Sequence, residues 1–267
     1  MIDNFTVSYQ NCKKIYTFRL MKLKNIVSKI SLLFFCVIIF SCNSNTGISY
    51  ERTQKNINSH WFYLENNTNS FQEALSLNTW KQINLPHTWN ALDATDITPG
   101  YRRSASWYKK DLNIGEISEG LKYILYFEGV NIESEVYVNG KKVGGHTGGY
   151  IGFKIDITDV VTKGNNEVLV RADNTFNPEV IPSQKSDFFI FGGISRDVWL
   201  ETMPIEHMSN LKVITPQVSK ENAQLLAEVV INNLEQNSNL KIKASLSNPK
   251  GETVVSSIFD ITENTSK

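Results

Sequence analysis

Apolar residues recur at every second position in short runs along most of this chain, and that period is what most limits its fold. "KYILYFEGV" (122–130), "ESEVYVNG" (133–140), "NEVLVRADN" (166–174) and "RDVWLETM" (196–203) alternate in this way, with Val, Ile, Leu, Tyr, Phe and Trp as the apolar members. Period two in such residues specifies half-buried strands. Inside "VYVNGKKVGG", Asn139-Gly140 lies between alternating flanks and suits the positive dihedrals of a two-residue hairpin turn. The only helical piece expected is the turn "DITDVV" (156–161), too short to form a layer. The chain is expected to be all-β.

Charge and thiol content then remove several function classes. The 27 basic and 27 acidic residues cancel, so no global field draws the protein to nucleic acid, and no nucleic-acid partner is expected. Cys12, Cys36 and Cys42 all precede position 43, which leaves the rest without a disulfide or a thiolate metal site. His60, His87, His146 and His207 are scattered singly, without the spacing that puts two ligands on one helix face. Loop and strand-end roles are expected for them.

Near the amino terminus, Lys22, Lys24 and Lys29 precede an apolar run over 30–40, which ends at Ser41-Cys42 and the polar "NSNT". Charged region, short apolar region and small residue form an export signal, and the run is too short to span a bilayer comfortably. The pattern resembles a bacterial lipoprotein signal (21–42), in which the cysteine after a small residue is lipidated and becomes the new amino terminus. It implies an exported, membrane-anchored lipoprotein at the periplasm or outer-membrane surface, held by acyl chains on Cys42. Residues 1–20 then read as an over-extended start, and 43–58 as a linker.

Beyond about Pro204 the texture changes. "AQLLAEVVINN", "NLKIKASLS" and "ETVVSSIFDI", with a turn at Pro249-Lys250-Gly251, give about four strands over 205–267. An immunoglobulin-like sandwich takes roughly seven strands in about 100 residues, so this second sandwich is expected to be partial.

Five blocks now stand in one order: "LPHTWN" (85–90), "SWYKKDL" (106–112), the long run 125–161, "GNNEVLVRADN" (164–174) and "GGISRDVWLE" (192–201). Together they resemble the sugar-binding domain of glycoside hydrolase family 2, and 205–267 resembles the immunoglobulin-like domain that follows it. The resemblance implies a jelly-roll (galactose-binding-like) domain over 59–204, a carbohydrate partner, and a β-galactosidase-like protein with β-glucuronidase and β-mannosidase as near relatives. "PHTWN" and "YRRSASWY" look most like the β-galactosidase branch.

Hydrolysis in that family needs two carboxyl groups about 5 to 5.5 Å apart. They stand on a separate TIM barrel, and no strand and helix alternation of that kind occurs here. Asn166-Glu167 repeats the family's acid/base dipeptide but sits at the start of a strand inside the sugar-binding block. It is read as a decoy, and the chain alone is expected not to hydrolyse glycosides. The resemblance does implicate the aspartate six residues before the glycine of the "GI-RD" block, here Asp187, as a ligand for a sugar hydroxyl and an alkali cation. It also nominates Asn90, after "PHTW", as a second polar contact. No other cofactor is implied. A turn-capping role for Asp187 stays open beside the ligand role. Trp89 plugs the core or faces a sugar, and "HTGGY" (146–150) reads as a glycine-relieved loop. Arg196-Asp197 is expected to hold a corner. Two functions are therefore compared: the non-catalytic front of a glycosidase, and a stand-alone lipoprotein that binds carbohydrate or a protein without chemistry.

Overall fold

A computed structural model of the chain describes residues 4–9, 16–19, 51–93, 95–97, 100–180, 189–220, 222–233 and 241–261. Cys42, the signal region and Asp187 lie outside the described residues. The strands are β1 Asn4–Tyr9, β2 Tyr16–Arg19, β3 Thr53–Asn56, β4 Trp61–Leu64, β5 Lys81–Ile83, β6 Ala105–Ile114, β7 Leu121–Phe127, β8 Val130–Asn131 and β9 Glu133–Val138. They continue as β10 Lys141–Thr147, β11 Phe153–Asp156, β12 Gly164–Asp173, β13 Gly193–Ile194, β14 Val198–Pro204, β15 His207–Val218, β16 Ala223–Asn232, β17 Lys241–Ser247 and β18 Thr253–Asp260. A helix, α1, covers Phe71–Ser76. The all-β expectation holds, and the chain divides into two compact units, 50–204 and 1–49 with 205–267.

Unit 50–204 is a sandwich of antiparallel sheets. One has six strands in the order β10-β9-β12-β6-β4-β5, and the other has four in the order β11-β7-β14-β3. Val136, Val138, Val168 and Val170 turn one face of the larger sheet inward, against Leu125, Phe127, Val198 and Leu200 of the smaller. The intervening residues face the other way, as the pleat requires. There Leu64, Trp107, Tyr137 and Leu169 form a separate cluster roofed by α1. The hairpin between β9 and β10 turns at Asn139 and Gly140, with φ of 50° and 76°, as their sequence predicted.

Three local expectations change. The unit starts before the expected boundary at 59, because β3 pairs with β14 and Ile57 is in the core. All four β3 residues are exposed, so "TQKN" carries no alternation to read. The piece over 156–161 is a hydrogen-bonded turn, closed by Val160 and Val161 N–H groups on Ile157 O, and the helix lies instead at Phe71–Ser76. Ser70 caps it, accepting from Glu73 N at 3.3 Å. This serine followed by an acid three residues later is a helix-start signal, but six residues are too few for a helical period to show.

In the other unit, β16 pairs with β15 and β2, and β17 pairs with β1 and β18. Segment 1–20, read from the sequence as an over-extended start, contributes β1 and β2 to these sheets. The four strands expected after Pro204 are all present, around a small core of Val229, Ile231 and Ile242.

Candidate functional site

At the end of the 50–204 sandwich, the segment 189–194 follows directly on the stretch that holds Asp187. Two buried asparagines anchor it. Asn90 donates through Nδ2 to Ile190 O at 2.9 Å and to Arg102 O at 3.3 Å, and its Oδ1 accepts from Gly192 N at 3.0 Å. Asn174 donates to the same two carbonyls at 3.1 and 3.2 Å and accepts from Ser104 N at 2.9 Å. Both side chains are 0% exposed. The position nominated for a sugar contact thus sits one layer behind the surface, its amide fully taken up by backbone. Buried amides so satisfied are fixed in place, because any other orientation leaves polar groups unpaired.

The glycine pair is explained by contacts around it. A Cβ on Gly192 would lie 2.1 Å from Trp89 Cζ2, and one on Gly193, at φ +125°, would lie 2.4 Å from Tyr108 Oη. Between these contacts, Trp89 N donates to Gly192 O and His87 N to Ile194 O, zipping "PHTW" onto the glycine segment. Trp89 packs against the core, with the Arg102 guanidinium 5.0 Å from its ring centre. The core role is the one the structure shows for it. On the other flank Asn131 Nδ2 donates to Phe191 O at 2.5 Å, and Gly149 leaves room for the Asn131 side chain.

Behind the segment lies a polar and aromatic network. His87 Nδ1 meets Tyr108 Oη at 2.9 Å, and Arg102 Nη1 and Nη2 donate to Tyr63 Oη and Ser106 Oγ at 3.2 and 2.9 Å. Burial lowers the His87 pKa below its ordinary value and raises that of the Tyr108 hydroxyl well above its own. Both stay neutral and serve as hydrogen-bonding supports. On the surface, Phe189 packs between Tyr101 and Phe191 in tilted contacts at centroid distances of 4.3 and 4.9 Å, and Phe191 is exposed.

Two other expectations are placed by the geometry. Asn166 is fully buried at the opposite ends of β9 and β12, where its amide clamps Thr162 O and Gly164 O, and Glu167 N donates to Asn139 Oδ1. The Asn-Glu pair is a hairpin clamp. Asp197 accepts from Asn58 Nδ2 at 2.9 Å and its carbonyl from Glu128 N at 3.0 Å, holding the corner before β14. Among the described residues no group of three or more His, Cys, Asp or Glu side chains is arranged to hold a metal ion. Sequence reasoning missed Asn174. Its only signal was an asparagine where a strand ends, a common place for an exposed turn residue.

The comparisons agree with this architecture. Residues 48–204 match the model for the glycosyl hydrolases family 2 sugar binding domain. A putative beta-glucuronidase of Formosa agariphila is 57% identical over 247 residues, covering 92% of this chain but 30% of that protein. A beta-galactosidase of Thermoanaerobacter pseudethanolicus is 30% identical over 212 residues, 78% of this chain and 28% of that protein. Among solved structures, a putative beta-galactosidase from Bacteroides fragilis superposes with a TM-score of 0.71 at 29% identity, over 81% of this chain and 34% of that one. The chain thus spans about a third of the length of these relatives, and the family-model match over 48–204 includes the loops just described. By its family-model match and these identities, this chain belongs to glycoside hydrolase family 2 and carries that family's sugar-binding domain.

Proposed function

We propose that this chain forms the carbohydrate-contacting, non-catalytic front of a β-glucuronidase- or β-galactosidase-like glycosidase. The observation that carries the reading is its 57% identity, over 92% of its length, to a putative beta-glucuronidase of which it spans 30%. The catalytic carboxyl pair belongs to sequence outside these 267 residues. Within the chain, Asp187 contacts a sugar hydroxyl, and the Asn90 and Asn174 clamp sets the position of the segment that follows it. An alkali cation on Asp187 is part of the same proposal. Incubation with aryl β-glucuronides and aryl β-galactosides tests the division of labour. No turnover above buffer is expected, and turnover abolished by changing one carboxylate of this chain would refute it.

We also propose export and lipid anchoring through Cys42, supported by the lysines before the apolar run and by Ser41 before the cysteine. Metabolic labelling with a fatty acid should mark the wild type and not Cys42→Ser. Equal labelling of the two would exclude Cys42 as the acceptor.

A further inference from the structure

Where α1 stops covering it, the outer face of the six-stranded sheet carries a groove of about 510 Å³. Strand register builds its floor in two rows. Thr147 and Glu133 lie side by side on β10 and β9, with Asp173 of β12 beside Glu133 but outside the lining, and Gly145, Glu135 and Arg171 form the next row. Gly145 leaves the place beside Glu135 without a side chain, and Lys142 closes the groove at the next outward position of β10.

The charged groups on this floor are held from behind. Arg171 Nε donates to Thr68 O at 3.3 Å and its Nη2 pairs with Asp173 Oδ2 at 3.1 Å, with only 15% of the side chain exposed. Glu135 accepts from Tyr137 Oη at 2.9 Å and from Lys142 Nζ, and Glu133 accepts from Asn177 Nδ2. Among the described residues, these contacts leave Arg171 Nη1 and Glu133 Oε2 without a hydrogen bond. Hydrogen bonds from Lys142 and Tyr137 outweigh burial and keep the Glu135 pKa below its ordinary value, so it remains an ionised acceptor.

A fixed donor beside fixed acceptors is the arrangement that a vicinal diol satisfies. Each sugar hydroxyl can donate to a carboxylate and accept from a guanidinium, and charge-assisted bonds of this kind are about twice as strong as neutral ones. Two lining carboxylates, Glu133 and Glu135, stand against two cations, Lys142 and Arg171, so neither a strong anion nor a strong cation is favoured. The groove's size lies in the range of small-ligand sites, roughly 300 to 1,000 Å³.

We propose that this groove is a second carbohydrate subsite, which binds an uncharged saccharide through Glu133, Glu135 and Arg171. It rests on the carbohydrate-contacting reading above and extends it to a different face of the domain. The test is titration of the isotopically labelled full chain with lactose, cellobiose and glucuronic acid, followed by backbone amide shifts. Saturable shifts at Glu135, Gly145 and Thr147 with a neutral disaccharide are expected. Glu135→Gln, which keeps the shape, and Thr147→Trp, which fills the groove from an exposed position, should each weaken binding at least tenfold while the rest of the spectrum stays folded. Shifts confined to residues 189–192 would overturn the groove and leave the front-domain reading standing. Absence of shifts with either disaccharide, equal binding by both variants, or a groove response to glucuronic acid alone would overturn it as well.

Discussion

Replacing the two buried asparagines singly and together should show that they act as one clamp. Asn90→Ala removes three hydrogen bonds and leaves Gly192 N–H without its acceptor, while Ile190 O and Arg102 O keep a donor in Asn174. At about 1 kcal/mol net per bond, with an orphaned buried donor adding to the cost, the loss is about 3 kcal/mol. Asn174→Ala is symmetrical, with Ser104 N as the orphan, and should cost a similar amount. In the double variant the two shared carbonyls lose both side-chain donors. The pair should therefore be worse than the sum of the singles by about 1 to 2 kcal/mol, within the range found for residues sharing partners.

All five tryptophans lie within 50–204, so urea unfolding followed by their fluorescence reports this unit alone. Amide exchange at Gly192 and Ser104 locates the effect. Asn90→Asp retains the acceptor for Gly192 N but loses both donors, so it should preserve exchange protection at Gly192 while lowering stability. Additivity within about 0.5 kcal/mol, the usual result for independent sites, together with unchanged exchange, would refute the clamp.

Gly193→Ala should destabilise by at least about 3 kcal/mol, combining a positive φ with a Cβ 2.4 Å from Tyr108 Oη, whereas Gly115→Ala, with open space around it, should stay within about 0.5 kcal/mol. Thermal melts of both variants check this. Burial depresses the His87 pKa in the folded state, so the unfolded chain binds the proton more readily, and stability should be full above the ordinary value of 6.5 and fall as pH drops from there toward the folded pKa. Urea midpoints between pH 7.5 and 5.5 should show that fall, and a His87 ring titrating at or above 6.5 in NMR would contradict it. Ser70→Ala should cost about 1 kcal/mol and raise exchange at Glu73 N, because it removes the cap of α1.

By itself, the sequence determined the features that local chemistry controls. Period-two runs named the strands, Asn139-Gly140 set a hairpin, the texture change at Pro204 marked a unit boundary, and five ordered blocks pointed to the family. Each depends on neighbouring residues or on side chains that meet a core directly. β3 and α1 escaped notice because four exposed residues and six helical ones carry too little period.

Only the tertiary structure decided what the polar residues do. Asn90 and Asn174 stand 84 positions apart and become partners because both meet the carbonyls of Ile190 and Arg102, which no local pattern encodes. Asn166-Glu167 has the wording of a catalytic pair and the burial of a hairpin clamp. Glu133, Glu135 and Arg171 read as ordinary outward strand residues until register set them side by side beside a glycine. Alternation specifies which face a side chain takes, but the partner it meets there is fixed by strand order and register, which arise only when distant segments pair.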